Sequence, residues 1–166
     1  TEEQAKDINT LFVDSKRAGR LDYVAAWFIL AGKHIHKTKT KVAFVATNSI
    51  AQGEQVSILW GDLFIKYNIK IHFAHRTFKW RNEAKGNAAV HCVIIGFGAF
   101  DTNEKYIYEY ENLNSEPQRV KANNINGYLT DAKELFIESR GKPIHNFPEM
   151  TKGSQPTDGG NLIFDE

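Results

Sequence analysis

Apolar residues along the chain follow two patterns that are typical of β-strands. Val42–Ala46 is apolar at every position and is bounded by polar residues, which favours a strand buried on both faces. Ile69–Phe73 alternates apolar and polar positions, and Ala89–Phe97 forms another largely apolar run in which Gly96 marks an expected β-bulge. Because no helical segment separates the last two strands, we predict that they pair antiparallel.

Helical spacing is present in three other segments. Glu2–Val13 is polar and predicts a short surface helix. Asp22 is placed to N-cap a second helix that continues to Lys37, with an apolar face formed by Tyr23, Trp27, Leu30 and Ile35. Gly53–Tyr67 has apolar residues that recur at intervals of three and four, and Asn68 closes this third helix.

The order of these elements predicts an α/β domain. A helix, a buried strand, a helix and a further strand make one α/β unit, and the closing hairpin adds one reversed strand to a mostly parallel sheet.

The pattern changes after residue 104. Lys105–Tyr110 predicts an exposed strand, Ala132–Ile137 predicts a short helix, and the chain from Gly141 onward is rich in Pro, Gly, Asn and Asp. We therefore predict a domain over residues 1–104 and an irregular C-terminal extension over residues 105–166.

Composition and charge limit the classes of partner. A chain of 166 residues is long enough for one domain with a core, or for part of a larger one. Its net charge of +1 means that any contact with nucleic acid must come from a local patch. The single cysteine, Cys92, excludes an internal disulfide and fits a reducing compartment. No apolar run approaches the length of a membrane span, so we expect no membrane partner.

The strongest functional signal lies between the strands of the predicted hairpin, in a loop from His75 to Ala88. Two aromatic residues alternate there with four cations: Phe78 and Trp80 stand among Arg76, Lys79, Arg81 and Lys85. Nucleobases stack on aromatic rings with about 1–3 kcal/mol each, and cations bind the phosphates. The loop therefore predicts a nucleic-acid contact, while the alternative is a hairpin whose aromatic residues cap its own core.

A second candidate site follows the first predicted strand. Thr47-Asn48-Ser49 lies at the carboxyl end of that strand, where open α/β sheets bind their ligands. Asn48 is the candidate ligand contact, and the alternative for this segment is a helix cap. The chain contains no GxGxxG, GxxxxGK[ST], HExxH or paired CxxC motif, and we expect no metal site.

Three stretches of sequence together resemble a known family: KVAFVATNSIAQGEQVSILW, IKIHFAHRTFKWRNEAKGNAAVHCVIIGF and NFPEMTKGSQPTDGGNLI. They resemble the fused methyltransferases of single-chain type IIG/IIL (MmeI-like) restriction–modification enzymes. The resemblance implies a partial class I, Rossmann-like methyltransferase sheet that ends in an antiparallel hairpin, with Lys41–Ala46 similar to the family's fifth strand. The family's glycine-bearing cofactor loop and its Asn/Asp-Pro-Pro-aromatic motif have no counterpart here. Residues 1–104 therefore resemble the C-terminal half of the methyltransferase domain, residues 105–166 lead toward the target-recognition region, and the chain alone is expected to be inactive.

The resemblance also implies an activity and its participants. The parent enzyme would transfer a methyl group from S-adenosylmethionine to adenine N6 in double-stranded DNA, in the bacterial cytoplasm and together with the rest of the same polypeptide. Phe78 matches the family's ring that stacks on the flipped adenine, and Trp80 is the second candidate for that role. The implied DNA contacts are Arg76, Lys79, Arg81, Lys85 and Asn48, while no cofactor-binding residue is assigned. A non-catalytic nucleic-acid-binding module and a structural α/β domain are the competing hypotheses.

Overall fold

A five-stranded sheet forms the centre of the computed structural model, which describes residues 1–15, 17–80, 90–112, 115–138 and 140. The strands in chain order are β1 (Lys41–Thr47), β2 (Lys70–Trp80), β3 (Val90–Gly98), β4 (Lys105–Glu109) and β5 (Gln118–Ala122). Their order across the sheet is β1-β3-β2-β4-β5. Strand β3 is antiparallel to both β1 and β2, and β4 is parallel to β2. Strands β1, β2 and β4 therefore run in one direction, and their carboxyl ends share one edge of the sheet.

The predicted α/β class and the antiparallel hairpin of β2 and β3 are confirmed. The prediction of a mostly parallel sheet is wrong for the described strands, because three of their four pairings are antiparallel. The reason is the position of β3, which lies between β1 and β2 and separates two strands that run in the same direction. Strand β5 adds a second reversed strand, which the sequence analysis did not predict.

Helical segments occupy the regions that the apolar spacing predicted. They are α1 (Glu2–Leu11), α2 (Ala25–Ile35), α3 (Gly53–Gln55), a π-helical turn (Val56–Trp60) and α4 (Gly61–Tyr67). Thr1 and Gln4 form a capping box at the start of α1, in which the Thr1 hydroxyl accepts a hydrogen bond from the Gln4 backbone N–H and the Gln4 side-chain oxygen accepts one from the Thr1 amino group. Asn68 ends α4 in the left-handed conformation with φ of 52°, as its small polar side chain allows.

The start and the buried face of α2 differ from the prediction. Asp22 does not cap this helix, which begins at Ala25 without a side-chain cap. The Asp22 carboxylate instead accepts a hydrogen bond from the Ser49 hydroxyl. Trp27 is 59% exposed although it was predicted to face the core, and Phe28 is fully buried in its place. The helical spacing is compatible with either Trp27 or Phe28 facing the core. Phe28 is the buried residue because its ring packs against Trp60 and Phe97.

An aromatic cluster joins the helices to the sheet. The Phe28 ring stacks on Phe97 of β3 at 5.7 Å and meets the edge of Trp60 at 5.8 Å between ring centroids. All three side chains are almost completely inaccessible to solvent. The Trp60 indole N–H donates a hydrogen bond of 2.9 Å to the Ile50 carbonyl, so its only polar atom is satisfied within the core.

Strand β1 is less buried than its apolar sequence predicted. Only Ala46 of its seven residues is buried, and Val45 is 48% exposed. Among the described strands β1 is an edge strand that pairs with β3 alone. The continuous apolar run predicted that both faces of β1 are buried. In the described residues the helices pack against only one face.

Residues after β3 extend the same sheet. The predicted strand at Lys105–Tyr110 is confirmed as β4, and its Lys105 and Ile107 side chains are buried rather than exposed. The predicted helix at Ala132–Ile137 is wrong, since these residues have no helical structure. The Ala132 and Lys133 carbonyls, which a helix would use for its own hydrogen bonds, instead accept hydrogen bonds from the side-chain amides of Asn124 and Asn126. The predicted arm from Gly141 lies outside the described residues.

Gly96 permits a close contact in the middle of β3. The β-bulge predicted at Gly96 lies on the facing strand, because Ile71 and Phe73 of β2 pair with the consecutive residues Phe97 and Gly96. A Cβ atom on Gly96 would stand 2.1 Å from the Phe73 ring. The absence of a side chain therefore lets the Phe73 ring lie directly over the β3 backbone.

We expect Gly96→Ala to destabilise the chain by about 1–3 kcal/mol, because its new methyl group overlaps the Phe73 ring. Urea unfolding measures this free energy. Gly61→Ala is the matched control: nothing lies within 4 Å of its Cβ position in α4, and helix propensity predicts a gain of about 0.5–1 kcal/mol. Combining Gly96→Ala with Phe73→Ala should cost less than the sum of the two single effects. Full additivity would contradict the proposed overlap.

We also expect the 166-residue chain to self-associate through β1, since an exposed strand edge pairs readily with another chain. Val45→Lys should reduce this association, because a lysine on an edge strand opposes such pairing. Sedimentation velocity over a concentration series provides the measurement. Val13→Lys, at a position that is 79% exposed and outside the sheet, is the control and should have no effect. A chain that remains monomeric at high concentration would contradict the prediction.

Candidate nucleic-acid interface

The predicted loop from His75 to Ala88 is β-strand as far as Trp80. Phe78 and Trp80 therefore lie on β2, where they pair with Cys92 and Val90 of β3. The expectation that Phe78 lies in a loop is wrong, because its residue belongs to the strand. A register shift between His75 and Phe78 breaks the simple alternation, so the alternating apolar pattern does not reveal that the strand continues beyond Phe73. Arg81 and Lys85 lie outside the described residues.

Phe78 is half-buried on the carboxyl part of β2. Its ring stacks on Tyr110 with 5.5 Å between centroids and an interplanar angle of 27°. The Trp80 ring lies 6.3 Å away in a tilted arrangement and is 47% exposed. The Phe78 side chain is thus outside the fully buried core, and its neighbours are other aromatic rings at the edge of the sheet.

Tyr110 connects Phe78 to a second pair of rings. The Tyr110 hydroxyl and His75 Nδ1 are 2.8 Å apart and hydrogen-bonded. The His75 ring in turn stacks on Tyr108 at 4.2 Å with an interplanar angle of 3°. Burial lowers the pKa of His75, which favours the neutral imidazole. Burial and, secondarily, the charge of Glu116 raise the pKa of Tyr110, so its hydroxyl remains protonated at neutral pH.

Asn48 lies at the same edge of the sheet as Phe78. Its amide nitrogen is 3.4 Å from the Thr77 hydroxyl, a long hydrogen bond that links the end of β1 to β2. The register explains the contact, because Thr47 pairs with Cys92 and Cys92 pairs with Phe78. The alternative interpretation of this segment as a helix cap requires a side-chain hydrogen bond to the start of a helix. The short 3₁₀ turn Asn48–Ala51 has no such bond.

The two described cations of this region are arranged differently. Arg76 Nη1 is 3.0 Å from a carboxylate oxygen of Glu109, and both side chains are about half exposed. Lys79 is partly buried and forms no ion pair with any residue that the structure describes. Arg76 and Glu109 line a shallow cavity of about 320 Å³ together with Thr77 and Tyr110. A partner at this edge would therefore meet both an aromatic surface and an accessible guanidinium.

The sequence analysis missed Thr77, Tyr108 and Tyr110 as members of this site. Alternating tyrosines in KYIYEY were visible as a strand pattern, but nothing in the local sequence indicated that β4 pairs with β2. The described residues contain no group of three or more His, Cys, Asp or Glu side chains placed to hold a metal ion. Within the same residues, every helix is too short or too polar to cross a lipid bilayer.

Comparisons with known proteins agree with this architecture. A sequence model of the MmeI DNA-methyltransferase domain matches residues 1–109, and one of the MmeI target recognition domain matches residues 131–166. DNA methyltransferase A of Bacillus subtilis (strain 168) is 46% identical over 163 residues, which are 98% of this chain and 18% of that protein. The solved structure of the type IIL restriction–modification enzyme MmeI in complex with DNA matches with a TM-score of 0.90 and 52% identity.

That match covers 97% of this chain and 22% of the MmeI chain. The chain thus spans about a fifth of the length of each of these two relatives. Both the extent of the match and the agreement of the folds point to the same conclusion. The chain belongs to the MmeI family of restriction–modification DNA methyltransferases.

Proposed function

We propose that this chain forms part of an S-adenosylmethionine-dependent enzyme that methylates adenine N6 in double-stranded DNA. In this proposal residues 1–104 belong to the methyltransferase domain and residues 105–166 lead to the target-recognition region. The chain acts in the cytoplasm within a longer polypeptide and is inactive alone. One observation of the structure carries the proposal beyond the family match: a half-buried aromatic ring, Phe78, at the sheet edge that also carries Asn48.

S-adenosylmethionine supplies the methyl group when it is bound. No described strand leads through a glycine-rich turn into a helix, the arrangement with which α/β sheets hold nucleotide cofactors. We therefore assign no described residue to the cofactor. The residues of this chain act on the DNA in this proposal.

Phe78 receives the adenine after it leaves the duplex. An enzyme that modifies a base atom inside the double helix must first extrude the nucleotide, which costs a few kcal/mol in lost stacking and pairing. Stacking on an aromatic ring restores about 1–3 kcal/mol of this loss. Phe78 is suited to the task because its ring is held by Trp80 of β2 and by Tyr110, directly after β4, and is still partly accessible. Trp80, which is more exposed, is the second candidate for the same contact.

Phosphate contacts around the extruded nucleotide come from Arg76 and from three further cations near it in the sequence. The exposed pair of Arg76 and Glu109 contributes little stability, since exposed ion pairs are worth about 0–1 kcal/mol. A DNA phosphate is therefore able to replace Glu109 as the partner of the guanidinium. Lys79, Arg81 and Lys85 are further phosphate contacts in this proposal, and Asn48 contacts the DNA from the end of β1.

In the full-length protein that carries this sequence, we expect Phe78→Ala to reduce methylation about tenfold or more, because one stacking contact of roughly 1–3 kcal/mol is lost. Cofactor affinity should remain nearly unchanged. Methylation of duplex DNA is measured by transfer of a labelled methyl group, and extrusion by the fluorescence of 2-aminopurine at the target position.

Phe100→Ala is the matched control for this experiment, since its half-buried ring lies beyond the end of β3, at the opposite edge of the sheet. It should affect methylation much less than Phe78→Ala does. Trp80→Ala is tested in parallel, and a larger loss there would transfer the stacking role to Trp80. If Phe78→Ala abolishes cofactor binding but leaves 2-aminopurine fluorescence intact, the proposed role of Phe78 is wrong.

We expect Arg76→Gln to weaken DNA binding and to lower the slope of log K against log salt concentration by about 1, the effect of losing one phosphate contact. Glu109→Gln should strengthen binding and keep the slope, because it removes the carboxylate that competes for Arg76. Fluorescence anisotropy with labelled duplex DNA at several salt concentrations measures both quantities. If Arg76→Gln and Glu109→Gln bind DNA with equal affinity, Arg76 is not a phosphate contact.

A further inference from the structure

We infer that Tyr110 is a positioning residue that holds the Phe78 ring in place for the extruded base. The inference rests on the proposed function, because it takes the stacking role of Phe78 as given. It adds a residue that directly follows β4, which neither the sequence pattern nor the family resemblance indicated. Three features of the described residues support it: the pairing of β2, the contacts of Tyr110 and its place along the chain.

The pairing of β2 leaves Phe78 without support on one side. Strand β4 pairs with β2 only from Phe73 to His75, and its last paired residue is Tyr108. Beyond that point, β2 has β3 as its one neighbour among the described strands. A register shift between His75 and Phe78 also breaks the regular ladder. The ring that must stack on a base therefore lies where the sheet itself restrains it least.

Tyr110 supplies the missing restraint through its ring. It follows the end of β4 and covers one face of Phe78 at a centroid distance of 5.5 Å. An aromatic side chain packed against another ring has less freedom to change rotamer, and the half-buried Phe78 keeps part of its surface accessible for stacking. Phe78 therefore loses its conformational entropy when the protein folds, and base extrusion does not have to order this side chain.

His75 fixes Tyr110 in turn. The hydrogen bond between His75 Nδ1 and the Tyr110 hydroxyl is 2.8 Å long and ties the far end of the tyrosine to β2. His75 is itself restrained by its parallel stack on Tyr108 at 4.2 Å. A continuous series of contacts thus runs from the paired part of the sheet, through Tyr108, His75 and Tyr110, to Phe78.

The place of Tyr110 in the chain gives this series a second consequence. The methyltransferase match ends at residue 109 and the target-recognition match begins at residue 131. Tyr110 is the first residue of the stretch that joins the two matched regions. The ring that receives the base is therefore held from the connection to the DNA-reading region, and a shift of that connection would change the position of Phe78.

A double-mutant cycle in the full-length protein tests this inference. The variants are Phe78→Ala, Tyr110→Ala and the two combined, and the readouts are 2-aminopurine fluorescence at the target base, methylation rate and cofactor affinity. Tyr110→Ala alone should reduce extrusion and methylation roughly threefold to tenfold, the range of one aromatic pair, and leave cofactor affinity unchanged. In the Phe78→Ala background the same substitution should have no further effect on extrusion.

Two further variants separate a positioning role from a structural one. Tyr110→Phe keeps the stacked ring and loses only the hydroxyl, so it should restore most of the extrusion that Tyr110→Ala loses. Tyr106→Ala removes a tyrosine of β4 whose ring lies against Arg119 and not against Phe78, and it should leave extrusion unchanged. Thermal unfolding of each variant identifies any loss that comes from the fold. If Tyr110→Ala unfolds the protein, Tyr110→Leu replaces it, because leucine fills the space without a stacking ring, and unchanged extrusion in that variant would contradict the inference.

The outcomes distinguish the inference from the function on which it rests. If Phe78→Ala leaves extrusion unchanged, the proposed function is wrong and the role of Tyr110 is lost with it. If Phe78→Ala reduces extrusion and Tyr110→Ala does not, the inference alone is wrong. Independent, additive losses would also overturn it, because Tyr110 would then act without Phe78. Increased extrusion in Tyr110→Ala would show that Tyr110 occupies the place of the base, contrary to the positioning role.

Discussion

The antiparallel pairing of β3 with both β1 and β2 is the constraint on which the rest of this structure depends. A strand inserted between two strands of the same direction brings their carboxyl ends to one edge at one level. Thr47, Cys92 and Phe78 lie side by side across the sheet for this reason. Without that register the 3.4 Å contact between Asn48 and Thr77 would not form, and the two candidate segments would remain separate.

Strand β3 carries this role because its two faces differ. Val93, Ile95 and Phe97 are buried, and Phe97 joins the aromatic cluster with Phe28 and Trp60 that holds the helices against the sheet. On the other face, Gly96 leaves space for the Phe73 ring. One face of the strand thus provides hydrophobic stabilisation, and the other allows close approach of a neighbour from β2.

The candidate site combines rings whose positions are restrained with a charge that is accessible. Phe78, Tyr110, His75 and Tyr108 form a continuous series of contacts and are partly buried, so their positions are set by packing. Arg76 is half exposed, and its partner Glu109 is equally accessible to solvent. This division suits a nucleic-acid partner physically, because stacking on a base requires defined geometry, whereas attraction to phosphates acts over several ångströms in water.

The sequence by itself determined the elements whose causes are local. Helix α1, the helical segment from Gly53 to Tyr67, the stop at Asn68 and the β2–β3 hairpin follow from spacing and from single side chains. The composition around Phe78, together with the family resemblance, was enough to select the candidate ring.

The tertiary structure alone decided which surfaces meet. It set the buried face of α2, the exposure of β1, the continuation of β2 to Trp80 and the contact of Tyr110 with Phe78. Each of these depends on residues far apart in the chain, and a local pattern of polar and apolar positions carries no information about which distant strand becomes its neighbour.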